Sequence, residues 1–113
     1  MKIDSYSFGD IEIDGDRYTN DVKVFPDRVE DNWWRKEGHS LHPDDIEDVI
    51  EEGPDVLVVG TGAYGRMKIP SKTREYIESE DIELIMEKSG NACETYNEVS
   101  EEKMAVAAIH LTC

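Results

Sequence analysis

The sequence is poor in positively charged residues. Twelve lysines and arginines stand against 27 aspartates and glutamates, which gives a net charge of -15 at pH 7. A surface this acidic repels nucleic-acid backbones and anionic membrane surfaces, so we expect no DNA or RNA partner. The remaining partner classes are proteins and small molecules.

Long apolar runs are also absent. No stretch approaches the length of a membrane-spanning helix, and the residues after Met1 lack the apolar segment of a secretory signal. We therefore expect a cytoplasmic protein that does not insert into membranes. The 113 residues suffice for one hydrophobic core and are too few for two. Because no internal repeat divides the chain, we expect residues 1–113 to form a single domain.

Cysteine and histidine are scarce, which bears on metal binding. The two cysteines, Cys93 and Cys113, have neither metal-ligand spacing nor a disulfide framework. His39 and His42 lie three residues apart, but no third ligand follows them. An acidic stretch over 10–21 approaches a calcium loop, yet strands are predicted where that motif has helices. We therefore expect no metal site.

The longest apolar stretch leads into a group of glycines. Residues 55–59 lie between Pro54 and Gly60 and predict a central strand that is buried on both faces. Apolar periodicity predicts further strands and three helices around it. The strands cover 3–13, 17–24, 82–86 and 104–111, and the helices cover 42–52, 71–80 and 89 or 91 to 101. The first strands form a hairpin or meander, and strand, helix and strand over 55–86 predict a βαβ unit.

The glycines after the central strand match G-x-G-x-x-G, the outline of a dinucleotide-binding motif. The six residues are Gly60, Thr61, Gly62, Ala63, Tyr64 and Gly65. Pro70 interrupts the helix that this motif requires, and the chain is too short for a second mononucleotide half, so we expect no cofactor. The backbone N–H groups of such a turn can still form an anion site. On that hypothesis Gly62→Val abolishes binding with little loss of fold; a purely structural turn is the alternative.

A cysteine and a histidine are candidates for chemistry. Cys93 lies in the first turn of the third predicted helix, where the helix dipole lowers a thiol pKa. If His110 approaches it, the pair has the residue types of a nucleophile and its base. A buried cysteine and a hydrogen-bonded core histidine are the alternative. Tyr96 and Asn97 complete the candidate small-ligand site around the glycine turn.

Two consecutive tryptophans, Trp33 and Trp34, lie in an aperiodic segment over 26–41. At least one of them is expected to pack on the sheet, because large aromatic side chains are buried more often than exposed. An exposed second tryptophan would mark a surface for a partner.

Several of these segments together resemble one small family over nearly the whole chain. They are Phe8-Gly9 with Ile11 and Ile13, Asp14-Gly15 before Tyr18, Asp21 and Val24, the tryptophan segment, Leu57 to Gly62, Ala92 with Tyr96-Asn97, and Ala107 to Cys113. The family includes the adipogenesis-associated domain protein and mitochondrial respiratory complex I assembly factor 3, with many uncharacterised archaeal and bacterial members. The resemblance implies an α/β domain of three layers: a central mixed sheet, flanking helices and an added N-terminal β-hairpin layer. It supplies no catalytic residues.

Two functional hypotheses follow. The resemblance to an assembly factor implies a non-enzymatic protein-interaction module that uses the tryptophan segment and the outer β-layer. The alternative is a small-ligand or anion-binding domain, or an enzyme, at the glycine turn. A small open sheet is also compatible with self-association.

Overall fold

The computed structural model describes residues 1–113 and contains eight strands, three α-helices and one 3₁₀ helix. The strands are β1 Ile3–Ser7, β2 Asp10–Ile13, β3 Asp16–Tyr18, β4 Val22–Val24, β5 Val29–Glu30, β6 Val56–Thr61, β7 Glu83–Glu87 and β8 Ala105–His110. The helices are the 3₁₀ helix Pro43–Ile46, α1 Glu47–Glu52, α2 Ser71–Ser79 and α3 Ser89–Val99.

The larger sheet has the strand order β5-β4-β8-β6-β7. β6 pairs in parallel with both β7 and β8, whereas β4 runs antiparallel to β8 and β5. The first five residues of β6 are buried, as its interior position requires. α2 connects β6 to its parallel neighbour β7, so the predicted βαβ unit is confirmed.

The smaller sheet is an antiparallel meander of β1, β2 and β3. Asp14 and Gly15 make the tight turn between β2 and β3 with φ values of 48° and 85°. The sequence pattern predicts that Val22–Val24 continues the same meander, and this prediction is wrong. β4 instead joins the larger sheet beside β8, because all three residues of Val22–Val24 are buried and need an interior position.

Two apolar clusters fill the two sides of the larger sheet. On one side α3 and the meander cover the sheet through a cluster that includes Ile3, Ile11, Val58, Tyr96 and Ile109. On the other side α1, α2 and the tryptophan segment cover it through a cluster that includes Phe25, Trp33, Leu57, Ile77 and Ala108. We call these the meander side and the tryptophan side. The predicted three-layer α/β architecture is confirmed.

The helix predicted over 42–52 forms in two parts, a 3₁₀ helix and then α1. Gly53 ends α1 in the left-handed conformation at φ 66°. Ile46 and Val49 point into the core, which leaves the acidic residues between them on the outer face. No helix in the structure combines the length and the apolar character that a membrane crossing requires.

Candidate functional site

The two tryptophans point in opposite directions. Trp33 is 7% exposed, and its indole Nε1–H donates to the Asp45 carbonyl at 3.1 Å. Trp34 is 78% exposed. Consecutive residues of an extended segment face opposite sides, and Asn32 precedes them in a left-handed conformation at φ 54°. Trp33 therefore belongs to the core, and only Trp34 is available to a partner.

Trp34 stands between two surface grooves, of about 790 and 440 Å³, which both contact Asn32, Trp33 and Trp34. Seven carboxylate side chains and two lysines line the larger groove. We call it the acidic groove. The exposed Trp34 indole among so many carboxylates gives this groove both an apolar surface and a strongly negative potential.

Three of the seven carboxylates are engaged within the protein. Lys23 Nζ binds the Asp48 carboxylate and lies 3.6 Å from Glu30. The Asp45 carboxylate accepts the backbone N–H groups of His42 and Lys36. The remaining four make no ion pair within the protein: Asp31, Asp44, Glu47 and Glu51.

Three of these four free carboxylates come from one helical face. Asp44, Glu47 and Glu51 recur at intervals of three and four residues along the 3₁₀ helix and α1. The apolar residues of the opposite face, Ile46 and Val49, fix the helix against the sheet. The acidic face is thus held towards the groove by burial of the other face.

A buried polar cluster lies behind the tryptophan segment. Arg35 Nη2 donates to Asp21 Oδ2 at 2.8 Å and to the Gly38 carbonyl at 3.0 Å. His110 Nδ1 lies 2.8 Å from the same Asp21 Oδ2, and the Leu111 N–H donates to Asp21 Oδ1 at 2.7 Å. Asp21 therefore joins the tryptophan segment to the end of β8.

Two groups meet His110 Nδ1 in this cluster. Asp21 Oδ2 lies 2.8 Å from Nδ1, and Arg35 Nη2 lies 3.1 Å from it. Burial acts to raise the pKa of Asp21, but the hydrogen bonds from His110, from the Leu111 N–H and from Arg35 together lower it below its ordinary value. Asp21 is therefore a carboxylate at neutral pH.

The glycine turn ties β6 to β8 and α3. The Gly62 N–H donates to Ser89 Oγ at 2.9 Å, and the Ser89 N–H donates to the Gly62 carbonyl at 3.0 Å. The Ser89 hydroxyl donates in turn to the His110 carbonyl. The Ala63 N–H donates to the Thr112 carbonyl at 2.8 Å. An anion at this turn would therefore compete with acceptors that the chain already supplies.

The backbone around the turn is too close to admit a side chain. Gly62 has a φ of 106°, and a Cβ there would lie 2.3 Å from the Cys113 carbonyl carbon and 2.6 Å from the Thr112 oxygen. At Gly60 a Cβ would lie 2.8 Å from Ser89 Oγ. The expectation that Gly62→Val leaves the fold intact is wrong, because the valine would collide with the backbone.

The other residues of the turn face in different directions. The Thr61 hydroxyl donates to the Glu87 carbonyl at 3.1 Å. Gly65 has a φ of 70°. Tyr64 is 64% exposed, and the centroid of its ring lies 6.0 Å from that of the exposed Phe8.

Tyr96 and Asn97 lie on the meander side, where they hold α3 to β1. The Asn97 side chain accepts the Ile3 N–H at 2.9 Å and donates to the Ile3 carbonyl at 2.8 Å. Tyr96 is buried, and burial together with the nearby Asp14 raises the pKa of its hydroxyl to about 12. Cys93 and Asn97 line a shallow groove of about 490 Å³ between α3 and β1.

The larger sheet separates Cys93 from the His110 side chain. Cys93 packs in the meander-side cluster with Ile109 and Leu111. Successive residues of β8 alternate faces, and Ala108 belongs to the tryptophan-side cluster. The His110 imidazole accordingly bonds to the polar cluster of that side. The two side chains do not form the nucleophile and base pair that the sequence leaves open.

The environment of Cys93 also opposes activation. Burial, followed by the charge of Glu94, raises the pKa of the Cys93 thiol to about 12, whereas its place at the start of a helix predicts a lower value. Cys93 is the fifth residue of α3, beyond the first turn in which the helix dipole acts, and its thiol is buried under β1. The fraction of thiolate at neutral pH is therefore very small.

We expect native-state alkylation to distinguish the two cysteines. Cys113 is partly exposed and should react with iodoacetamide at pH 7.5, whereas Cys93 should react only after unfolding. Mass spectrometry of protein labelled before and after denaturation measures this. Fast native labelling of Cys93, slowed by His110→Ala, would show that the thiol is activated after all.

Sequence reasoning missed the acidic groove and the Asp21–Arg35–His110 cluster. The groove had a signal, since Asp44, Glu47 and Glu51 follow a helical period opposite Ile46 and Val49. No sequence pattern indicates the cluster, because Asp21, Arg35 and His110 are far apart along the chain.

The fold and this arrangement define a three-layer α/β domain with a parallel βαβ unit, an antiparallel N-terminal layer and a glycine turn at the end of the central strand. The family model described as "Protein of unknown function (DUF498/DUF598)" matches residues 3–111. The chain belongs to this family, which confirms the resemblance that its sequence motifs predict.

Solved structures share the same fold. The conserved hypothetical protein PH1505 from Pyrococcus horikoshii OT3 is 31% identical, with a TM-score of 0.86 and 100% of both chains covered. A Bordetella pertussis protein described as a Mth938-like domain is 18% identical with a TM-score of 0.67, over 97% of this chain and 85% of that one. A Bartonella henselae protein described as an outer membrane protein is 21% identical with a TM-score of 0.81, over 98% and 94%. The last two likenesses show the fold alone.

Proposed function

We propose that the protein is a non-enzymatic interaction module, of the kind that helps to assemble other proteins, and that its partner binds at Trp34. The observation that carries this proposal is the 78% exposure of the Trp34 side chain beside a groove of about 790 Å³. Tryptophan is enriched among the residues that dominate binding energy at protein interfaces. Burial of such a large apolar surface by a partner is favourable.

The backbone that carries Trp34 is anchored on the side of the core. The Trp33 N–H donates to the Asp21 carbonyl at 2.9 Å, and the Trp33 indole donates to Asp45. A side chain presented on a fixed backbone loses less conformational entropy on binding than one on a loose loop. Trp34 is therefore suited to act as an interface anchor.

The small-ligand alternative at the glycine turn stays a prediction. The N–H groups of Gly62, Ala63 and Gly65 donate to acceptors within the chain. The other candidate residues of that site lie on the meander side, away from the His110 imidazole: Cys93, Tyr96 and Asn97. The tryptophan surface gives the interaction proposal the stronger geometric support.

Trp34→Ala is the variant that tests the proposal. Because its side chain is exposed, we expect the variant to keep its stability within about 0.5 kcal/mol and to lose the partner. Wild-type, Trp34→Ala and Tyr64→Ala proteins are compared as baits in extract of the native host. Tyr64 is a matched control, since it is an exposed aromatic residue outside both grooves.

The proposal is supported by a protein that wild-type and Tyr64→Ala retain and Trp34→Ala does not. The purified partner should bind Trp34→Ala at least about 30-fold more weakly than wild-type, a loss of about 2 kcal/mol in binding free energy. Equal binding to both proteins, or the lack of any Trp34-dependent partner, contradicts the proposal.

A further inference from the structure

We infer that the partner enters the acidic groove with a basic segment, and that an arginine of that segment stacks on the Trp34 indole. This inference rests on the proposed function, since it names the chemistry of the partner for the same surface. Three features support it: the charge of the groove, the exposed face of the Trp34 indole, and the way the fold stacks its own arginines on aromatic rings.

The charge of the groove is not balanced within the protein. Four of its carboxylates, Asp31, Asp44, Glu47 and Glu51, have no cationic partner. Lys23 is already bound to Asp48, so Lys36, which makes no ion pair, is the one free cation against these four. Like charges held close together on one helical face repel each other. A segment that brings positive charge relieves this repulsion and gains ion pairs, so the groove selects a cationic partner over a neutral or an acidic one.

The aromatic rings give this selection a second component. The fold stacks Arg35 over the Trp33 ring, with the guanidinium carbon 4.6 Å from the ring centroid, and Arg28 over the Phe25 ring at 4.0 Å. Trp34 has no cation over its ring. A planar guanidinium can stack on an indole while its N–H groups reach neighbouring carboxylates, which an ammonium does less well. Arginine therefore fits this groove better than lysine.

The overall charge favours the same partner over longer distances. At a net charge of -15 the protein attracts cationic chains before contact, and the groove concentrates this field beside Trp34. Affinity for a basic segment should therefore fall as salt increases.

A blocked six-residue peptide of alternating glycine and arginine tests the inference, with the same peptide carrying citrulline as the neutral control. Binding is followed by the two indole N–H signals in proton–nitrogen NMR spectra. The Trp33 signal is identified by its slow solvent exchange, since that N–H donates to Asp45. We expect the arginine peptide to shift the Trp34 signal and the citrulline peptide to leave it unchanged.

Two double variants that remove the same charge test whether the peptide binds at the groove. Glu47→Gln/Glu51→Gln should weaken the arginine peptide about fivefold, as two modest ion pairs predict. Glu78→Gln/Glu80→Gln removes the same charge from exposed positions outside the groove and should leave the affinity unchanged. Equal binding of both peptides, or equal affinity of both variants, overturns the inference.

The same variants separate this inference from the proposed function. If the natural partner is lost by Trp34→Ala but retained by Glu47→Gln/Glu51→Gln, the interaction module stands and the basic segment is refuted. If Trp34→Ala also retains the partner, both are refuted.

Discussion

Gly62→Ala is expected to destabilise the protein by about 3 to 5 kcal/mol, a large share of the stability of a domain of this size. Two effects add. The φ of 106° is unfavourable for any residue with a Cβ, at a cost of about 1 to 3 kcal/mol. The added methyl group would also lie 2.3 Å from the Cys113 carbonyl carbon, and forced repacking costs about a further 1 to 3 kcal/mol. Urea unfolding at pH 7 measures the loss.

Other glycines of the chain separate these two effects. Gly53 has a φ of 66° with open space around it, so Gly53→Ala measures backbone strain alone and should cost about 1 to 2 kcal/mol. Gly38 has neither a positive φ nor a close neighbour, so Gly38→Ala should be neutral within about 0.5 kcal/mol. A Gly62→Ala protein as stable as Gly53→Ala would contradict the packing argument.

This result bears on how the glycine motif is interpreted. A G-x-G-x-x-G pattern after a strand predicts a turn that another part of the backbone or a ligand approaches closely. The close approach is confirmed. What approaches Gly62 in this fold is the chain's own backbone at Thr112 and Cys113, which follows β8. The pattern specifies a need for space, and it does not specify whether a ligand or the protein fills that space.

The elements of the fold were predictable where the apolar pattern is strong. β6 and β8 are short apolar runs, and α3 has helical spacing, so their positions follow from local sequence. The position of β4 could not be predicted in this way. In sequence, Val22–Val24 alternates apolar and polar residues like a meander strand, yet in the structure even Lys23 is only 8% exposed. Its position is decided by pairing with β8, more than 80 residues later in the sequence, which no local pattern encodes.

The candidate surface was predictable only in part. A pair of consecutive tryptophans indicates that one is buried and the other exposed when the segment is extended, but which one is buried depends on Asp21 and Asp45, which bond Trp33. The polar cluster was not predictable at all. Its contacts join His110 to residues 75 and 89 positions away, Arg35 and Asp21.

The Asp21–Arg35–His110 cluster gives a second large effect on stability. Asp21→Asn is expected to destabilise the protein by about 3 kcal/mol at pH 7, because it removes the only carboxylate that compensates the buried Arg35. The substitution preserves shape, and an asparagine oxygen can still accept the Leu111 N–H. The amide Nδ2 of the asparagine then replaces Oδ2, which faces Arg35 and His110, so the loss measures the charge and the acceptor at Oδ2 and not the side-chain volume.

The effect of Asp21→Asn should depend on pH with a definite sign. The folded-state pKa of Asp21 lies below its ordinary value of 3.8, so its contribution to stability is complete above that value. As the pH falls through the lower folded-state pKa, the carboxylate becomes protonated in both states and its contribution is lost. The difference in unfolding free energy between wild-type and Asp21→Asn should thus shrink as the pH falls below about 4.

Asp16→Asn provides the control, because Asp16 is an exposed residue of β3 and its replacement should change stability by less than about 0.5 kcal/mol. Urea unfolding of the three proteins between pH 2 and 7 gives the comparison. If the gap between wild-type and Asp21→Asn stays constant down to the lowest pH, the ionised carboxylate is not the source of the stability. A gap that narrows in acid while Asp16→Asn tracks wild-type identifies the Asp21 carboxylate as the charge that holds the tryptophan segment to β8.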